Sequence, residues 1–305
     1  CGLLLLVFCA KAALLPLYLW LPDTYARAPA AVAALFAVMT KVGLYALLRV
    51  SSLWFGEDAG AMAGFASDWL LVAGLGTLVL AALGVLAATR LRVLIAYLVL
   101  VSAATLFIAF ALGQVGTIGA GLYYLAHSTF VTAALFLIAD LIRRRRGRAS
   151  DRKEIISPMP GKTGPSLLFL VAAISVAGLP PLSGFLAKTA LLSAIPAANT
   201  AWVWSVVLLS SLMVMVGLSR AGVRLFWRVP VALEAGDVAA LPPPRKAPSR
   251  PLETAAAVLL ILYGVGMTVA AAPMLRYTEA AATQLLEPAR YVGELRATPS
   301  RSRAP

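Results

Sequence analysis

Long uninterrupted apolar runs constrain this chain more than anything else in it. A helix needs about 20 apolar residues to cross a bilayer core. About eight such runs follow one another, at roughly 2–22, 29–50, 69–88, 93–112, 118–142, 166–195, 200–222 and 252–274. Backbone placed in hydrocarbon must satisfy its own polar groups, so runs of this length fold as helices. The expected fold is an all-α polytopic membrane protein of about eight transmembrane helices. Residues 1–275 form its transmembrane domain and leave little chain for a soluble one. Composition agrees: hydrophobic residues are 61% of the 305 and charged residues only 13%, against about a quarter charged in soluble domains.

The formal charge of +13 suggests nucleic acid until the charges are placed. Arg27, Arg90 and Arg92 fall in two connections, and Arg143, Arg144, Arg145, Arg146, Arg148, Arg152, Lys153 and Lys162 in a third, 143–164. Another set, from Arg220 to Arg250, surrounds the proline-rich connector 229–251. The intervening connections, 51–68, 113–117 and 196–199, hold no Lys or Arg. This alternation is the positive-inside pattern. It predicts that the basic loops are cytoplasmic and that residue 1 lies on the far side. The Arg143–Arg146 run then reads as a topology anchor touching anionic lipid, and no nucleic-acid partner is expected. The chain opens without Met, inside an apolar run and with no basic n-region, so it is not a signal peptide. It reads as the C-terminal part of a longer protein. Cys1 and Cys9 are too few and too badly spaced for a disulfide framework or metal site. Residues 276–305 are expected to be a polar tail, disordered from Pro299 to Pro305.

Two runs are interrupted. At about 30 residues the sixth would make a helix roughly 45 Å long, against about 30 Å of hydrocarbon. It contains Gly178, Pro180 and Pro181, then Gly184. Adjacent prolines remove two donors and clash with the preceding turn. The freed carbonyls are tolerated at membrane depth only where they face protein or a hydrated cavity. A broken helix at a conduction or binding site is the expectation. The first run has a milder version, with Lys11 followed by Pro16 and Pro22.

Four ionisable residues lie well inside the runs: Lys11, Lys41, His127 and Lys188. A lysine at a helix centre costs roughly 2.5–3.5 kcal/mol on insertion scales, which packing alone does not explain. Lys11 precedes Asp23 by 12 residues and Lys41 follows Pro29 by 12. On antiparallel neighbours both lie roughly 18 Å from the basic end, too deep to snorkel comfortably. Lys188 and His127 share a level nearer the opposite face. A lysine in apolar surroundings can accept and release a proton, and histidine does so near neutrality, so the four form a candidate proton relay. For His127 the plainer alternative is that Ser128, Thr129 and Thr132 satisfy it. Asp23 and Asp140, near helix ends, are candidate proton-intake groups or merely interfacial residues. No metal-ligand spacing, phosphate-cradling glycine loop or nucleotide fingerprint is present. Neither a cofactor nor autonomous catalysis is expected.

The stretch from Lys11 through Pro16 to Pro22-Asp23 resembles the lysine-bearing broken helix of the antiporter-like family. That family includes Mrp-type cation/proton antiporter subunits and the proton-pumping membrane subunits of NADH:quinone oxidoreductase. Gly178-Leu179-Pro180-Pro181-Leu182-Ser183-Gly184 through Lys188 resembles its second broken helix. Tyr25 to Pro29, Thr40 to Gly43, Tyr123 to Thr129 and Arg224 to Arg228 look most like the D-type subunits of Mrp antiporters. The resemblance implies an inverted-repeat antiporter-like fold of which this chain is the later part. It further implies a multi-pass protein of the bacterial inner membrane, working with other antiporter membrane subunits to exchange Na+ or K+ for protons. A pumping subunit of a quinone reductase or membrane hydrogenase is the alternative. By the same resemblance Lys11 is the central lysine of a first half-channel, Lys41 its relay partner and Lys188 the terminal lysine of a second. The acidic partner of the central lysine would lie upstream of residue 1. One departure matters: many quinone-reductase relatives carry a lysine shortly after the histidine, where this chain has Phe130-Val131-Thr132. Water is therefore expected to bridge Lys41 and Lys188.

Overall fold

Side-chain satisfaction inside the chain, rather than apolarity alone, decides where each run starts and stops as a helix. A computed structural model describes residues 2–56, 60, 64, 67–146, 151, 161–227, 251–287 and 293. Among the described residues, six helices are long and apolar enough to cross a membrane. They are α3 (Ala30–Trp54), α4 (Ser67–Ala87), α5 (Leu91–Ala111), α6 (Val115–Arg146), α9 (Ala197–Gly222, continued by one π-helical turn to Trp227) and α10 (Pro251–Val269). Two further runs are each split into a pair of short helices: α1 (Gly2–Lys11) with α2 (Trp20–Arg27), and α7 (Thr163–Ala177) with α8 (Ser183–Ser193). These account for the eight apolar runs. A last helix, α11 (Ala271–Leu286), carries the chain past Arg276, because Ala282 and Leu285 bury themselves in the cluster that holds Tyr123 and Ile118 of α6. The connector 229–250 and the tail beyond Glu287, Gly293 apart, lie outside the described residues. So does most of the 143–164 loop beyond Arg146.

α5 is the centre of the bundle. Every residue from Leu98 to Phe110 is buried, as expected of a helix apolar on all faces. Its neighbours approach closely through small residues. A side chain at Gly84 of α4 would overlap the Tyr97 ring of α5, and one at Gly217 of α9 would overlap Val85 of α4. Ser102 and Thr105 are the polar exceptions within that buried stretch of α5, and each hydroxyl donates back to its own helix, to the Val99 and Val101 carbonyls.

The basic connections meet at one end. Asp151 caps the start of α5: its carbonyl accepts the Leu91 amide at 2.8 Å, and its carboxylate accepts the Arg92 amide and Nε, both at 3.2 Å. Arg92 in turn donates to the Ala28 carbonyl just beyond α2. Arg144 reaches Glu253 of α10 at 3.9 Å, and Lys162 donates to the Phe226 carbonyl. The loop between α6 and α7 is thus tied to α5 and, through Arg92, to the end of α2. Burial acting alone would raise the Asp151 carboxyl, but the Arg92 amide and guanidinium outweigh it and hold the group below the usual carboxylate range. A depressed acid stabilises the fold above its unfolded value and loses that contribution as pH falls through the folded one. Asp151→Asn should weaken this tie by about 1–3 kcal/mol. Hydrogen exchange at the Arg92 amide should quicken in the variant at neutral pH, and in the parent protein only below the ordinary carboxylate range. Equal protection in both at neutral pH would refute the assignment.

Candidate functional site

The first interruption follows Lys11. The chain leaves the helix through Ala13, a buried alanine held at φ 60°, a conformation that costs a non-glycine residue roughly 1–2 kcal/mol. Two side chains bind backbone groups at the break. Thr77 of α4 accepts the Leu15 amide at 3.0 Å, and the Trp20 indole donates to the Ala10 carbonyl at 3.0 Å. Pro16 lies inside this segment and is exposed. Lys11 itself is exposed, with no hydrogen-bond or ion-pair partner among the described residues. Its carbon stem lies where a side chain at Gly43 of α3 would sit, 3.4 Å from that position. Lys11 and Lys41 therefore stand on either side of α3, Gly43 and Lys41 being two positions apart along that helix.

Lys41 is buried, 2% exposed, and turns toward the central helix. Its ammonium donates to the Ser102 hydroxyl at 2.6 Å. Exposure along α3 explains the split: Met39 and Val42 lie on the outer face, while Thr40, Lys41 and Leu44 are buried.

The second interruption is built from glycine, proline and four polar side chains. Gly178 ends α7 in the left-handed region, φ 80°, which favours glycine at a helix C-terminus. The Gly178 and Leu179 amides both return to the Ile174 carbonyl. Pro180 and Pro181 fill the gap before α8 starts at Ser183. Lys188, one and a half turns into α8, folds back across Gly178 and donates to the Ala177 carbonyl at 2.9 Å, the Val176 carbonyl at 3.4 Å and the Ser211 hydroxyl of α9 at 3.1 Å. A cation thus sits at the negative end of a half-helix. A Cβ at Gly178 would come within 2.8 Å of the Lys188 stem, so the glycine also makes room for the lysine.

His127, 2% exposed, clasps the same break from α6. Its Nδ1 lies 2.9 Å from the Ser183 hydroxyl at the head of α8. The ring also hydrogen-bonds the Ser175 backbone near the end of α7, and its Nε2 closes over Gly184. Ser128, Thr129 and Thr132 do not serve it: each donates to a carbonyl of its own helix. His127 and Lys188 meet at one helix break, whereas Lys41 turns to the Ser102 hydroxyl of α5.

Asp23 is exposed and paired with Arg27 at 3.6 Å. Asp140 is buried between Arg143 and Arg144 at the end of α6. Neither side chain is joined to the lysines or the histidine by any described contact. Sequence patterns point to the four ionisable residues but not to Ser102, Ser183 or Ser211. Serines in apolar helices are common, and nothing in their spacing shows which lysine they meet.

Helices interrupted inside an apolar bundle, with ionisable side chains bound to the freed ends, define the class of polytopic membrane proteins to which ion transporters belong. The chain belongs to the NADH:quinone oxidoreductase/Mrp antiporter transmembrane family, whose model matches residues 1–214. It is 35% identical over 92% of its length to the D-type subunit of the probable K+/H+ antiporter of Rhizobium meliloti, covering 55% of that protein. It is 34% identical over 95% of its length to the D-type subunit of the Na+/H+ antiporter of Bacillus subtilis, covering 56% of it. The chain thus spans about half the length of these relatives. In the Mrp complex from Dietzia sp. DQ12-45-1b, a chain superposes with a TM-score of 0.82 at 23% identity, covering 96% of this chain and 60% of that one; this likeness concerns the fold.

Proposed function

We propose that the chain is the later part of a proton-translocating subunit in a multisubunit Na+ or K+/proton antiporter. One observation carries it. Lys188 and His127 are both bound to the freed ends of a single helix break, so a change of protonation acts directly on the geometry of α7 and α8. Lys41, buried against the central helix, supplies a second exchangeable proton, and Lys11, beside α3, a third. Relatives named as D-type antiporter subunits support cation/proton exchange. The basic connections gathered at one end support a cytoplasmic placement of that face in a bacterial inner membrane. Other membrane subunits of the complex are its partners, and its bulk contact is lipid.

Lys41→Ala and Lys11→Ala, each in the intact protein with its partner subunits, should lower antiport in everted vesicles by about a hundredfold or more. Assembly should persist. Normal exchange in both variants would overturn the proposal, and loss of assembly would assign the lysines to helix pairing instead. The family also takes in NADH:quinone oxidoreductase subunits, which favours redox-driven pumping as a second reading. That reading requires proton movement on addition of an electron donor and co-purification of iron–sulfur subunits.

A further inference from the structure

Arg49 is unusually placed. The connections at the end of the bundle opposite the basic loops hold no Lys or Arg, yet Arg49 stands five residues before Trp54, where α3 ends on that side. That is roughly 8 Å inside the helix end, about the thickness of one headgroup layer. Half-buried there, Arg49 lines a cleft of about 660 Å³ between α3, α6 and α11. α11 runs antiparallel to α6: Tyr123 meets Met267 just before α11 begins, and Glu279 lies against Gly119. Leu286 shares a second cavity with Ser51, Ser52 and Ile118, which sets the end of α11 beside the end of α3. The cleft therefore has a polar end and an apolar one. Arg49, Gln284 and Glu287 line the end nearer the helix termini, and Ala126 and Met274 line the deeper end. Ala126 and Ala281 carry side chains too small to close the gap between the helices.

We propose that this cleft is a binding site for one phosphatidylethanolamine molecule of the leaflet on that side. A guanidinium matches a phosphate with several donors held in a fixed fork. The Glu287 carboxylate and the Gln284 carbonyl, three residues apart on one face of α11, accept from the primary ammonium beside that phosphate. The deeper apolar end takes the first part of an acyl chain. Free phosphate would leave that end unused, and an anionic lipid would set its phosphate beside Glu287 without a cation between them. Choline has no N–H to donate. Charge order and depth order together therefore select a zwitterionic lipid with a primary amine. Neither Lys41 nor His127 lines the cleft, so the site goes beyond the transport function proposed above. Bound lipid fills the gap that α11, packed along α6, leaves beside α3.

The test uses the intact protein in its complex, depleted of lipid in detergent. The probe is phosphatidylethanolamine with a diazirine in the first carbons of one acyl chain. Light should attach it to the segment of α11 that contains Met274. Unlabelled phosphatidylethanolamine should compete about tenfold better than phosphatidylglycerol, and inorganic phosphate should not compete. Arg49→Gln should need about tenfold more probe for half-maximal labelling. Glu287→Gln should bring the two competing lipids to parity. Parent-like labelling in Arg49→Gln would overturn the site, and so would competition by inorganic phosphate. Labelling that stays off α11 would also overturn it, as expected if another polypeptide segment fills the cleft. If Arg49→Gln fails to assemble, Glu287→Gln decides alone, and an unchanged lipid preference there refutes the assignment. Antiport rates enter none of these readings, so failure of the lipid site leaves the transport function standing.

Discussion

Gly184→Ala should prevent the second helix break from closing. A Cβ on that residue would fall inside the Ser175 carbonyl oxygen and within 2.9 Å of His127 Nε2. Neither obstacle is the free end of a flexible chain. The carbonyl belongs to α7, and the ring is fixed at its other nitrogen by Ser183. Relief would require α8 to move away from α7, which breaks the Lys188 contacts to Val176 and Ala177 as well. Overpacking of this kind costs about 1–3 kcal/mol where side chains can give way, and more where backbone must shift. The folded, assembled fraction and the thermal midpoint in detergent should both fall well below those of the parent. Gly266→Ala, where nothing lies within 4 Å of the added carbon, should be silent and serves as the control. An unchanged midpoint for Gly184→Ala would show that the two half-helices are not held as described.

Replacing Lys188 should separate its two roles. Lys188→Met keeps the length of the chain but leaves the Val176 and Ala177 carbonyls and the Ser211 hydroxyl without their donor. Each buried polar group left unpaired costs about 1–3 kcal/mol, so both stability and transport should drop. Lys188→Arg retains a permanent cation for the end of α7, while a guanidinium does not release its proton in proteins. It should be more stable than Lys188→Met and equally inactive in proton transport. Antiport at the parent rate in Lys188→Arg would remove Lys188 from the proton path. Equal stability of the two variants would remove it from the capping of α7.

The number of crossings is legible in the sequence because hydrocarbon thickness sets a length that residue types record directly. The second interruption is equally plain, since adjacent prolines inside an apolar run cannot be helix. Extent is harder to read. The α11 helix continues ten residues past Arg276 because Ala282 and Leu285 find a buried seat, and nothing in a polar, alanine-rich segment announces its partner. Depth along a helix also says nothing about the direction of a side chain. Counting residues puts Lys11 and Lys41 at one height, yet one is exposed and the other enclosed. Partnership is least visible. For His127 the nearby Ser128, Thr129 and Thr132 are the natural expectation, but hydroxyls in a helix turn back to their own carbonyls. The groups that reach the ring come from 48 and 56 residues away, Ser175 and Ser183. Such contacts depend on how α6, α7 and α8 are packed, which a pattern of types does not contain.

The two interruptions differ in what closes them. At the first, the Ala10 carbonyl accepts the Ala13 amide and the indole of Trp20, neutral donors that never titrate. At the second, the orphaned carbonyls are held by an ammonium. Loss of one proton leaves the first joint electrically unchanged, but reduces the second to a weak neutral donor facing the negative end of α7. One joint is a fixed elbow and the other a charge-sensitive hinge, though the chain bends at both.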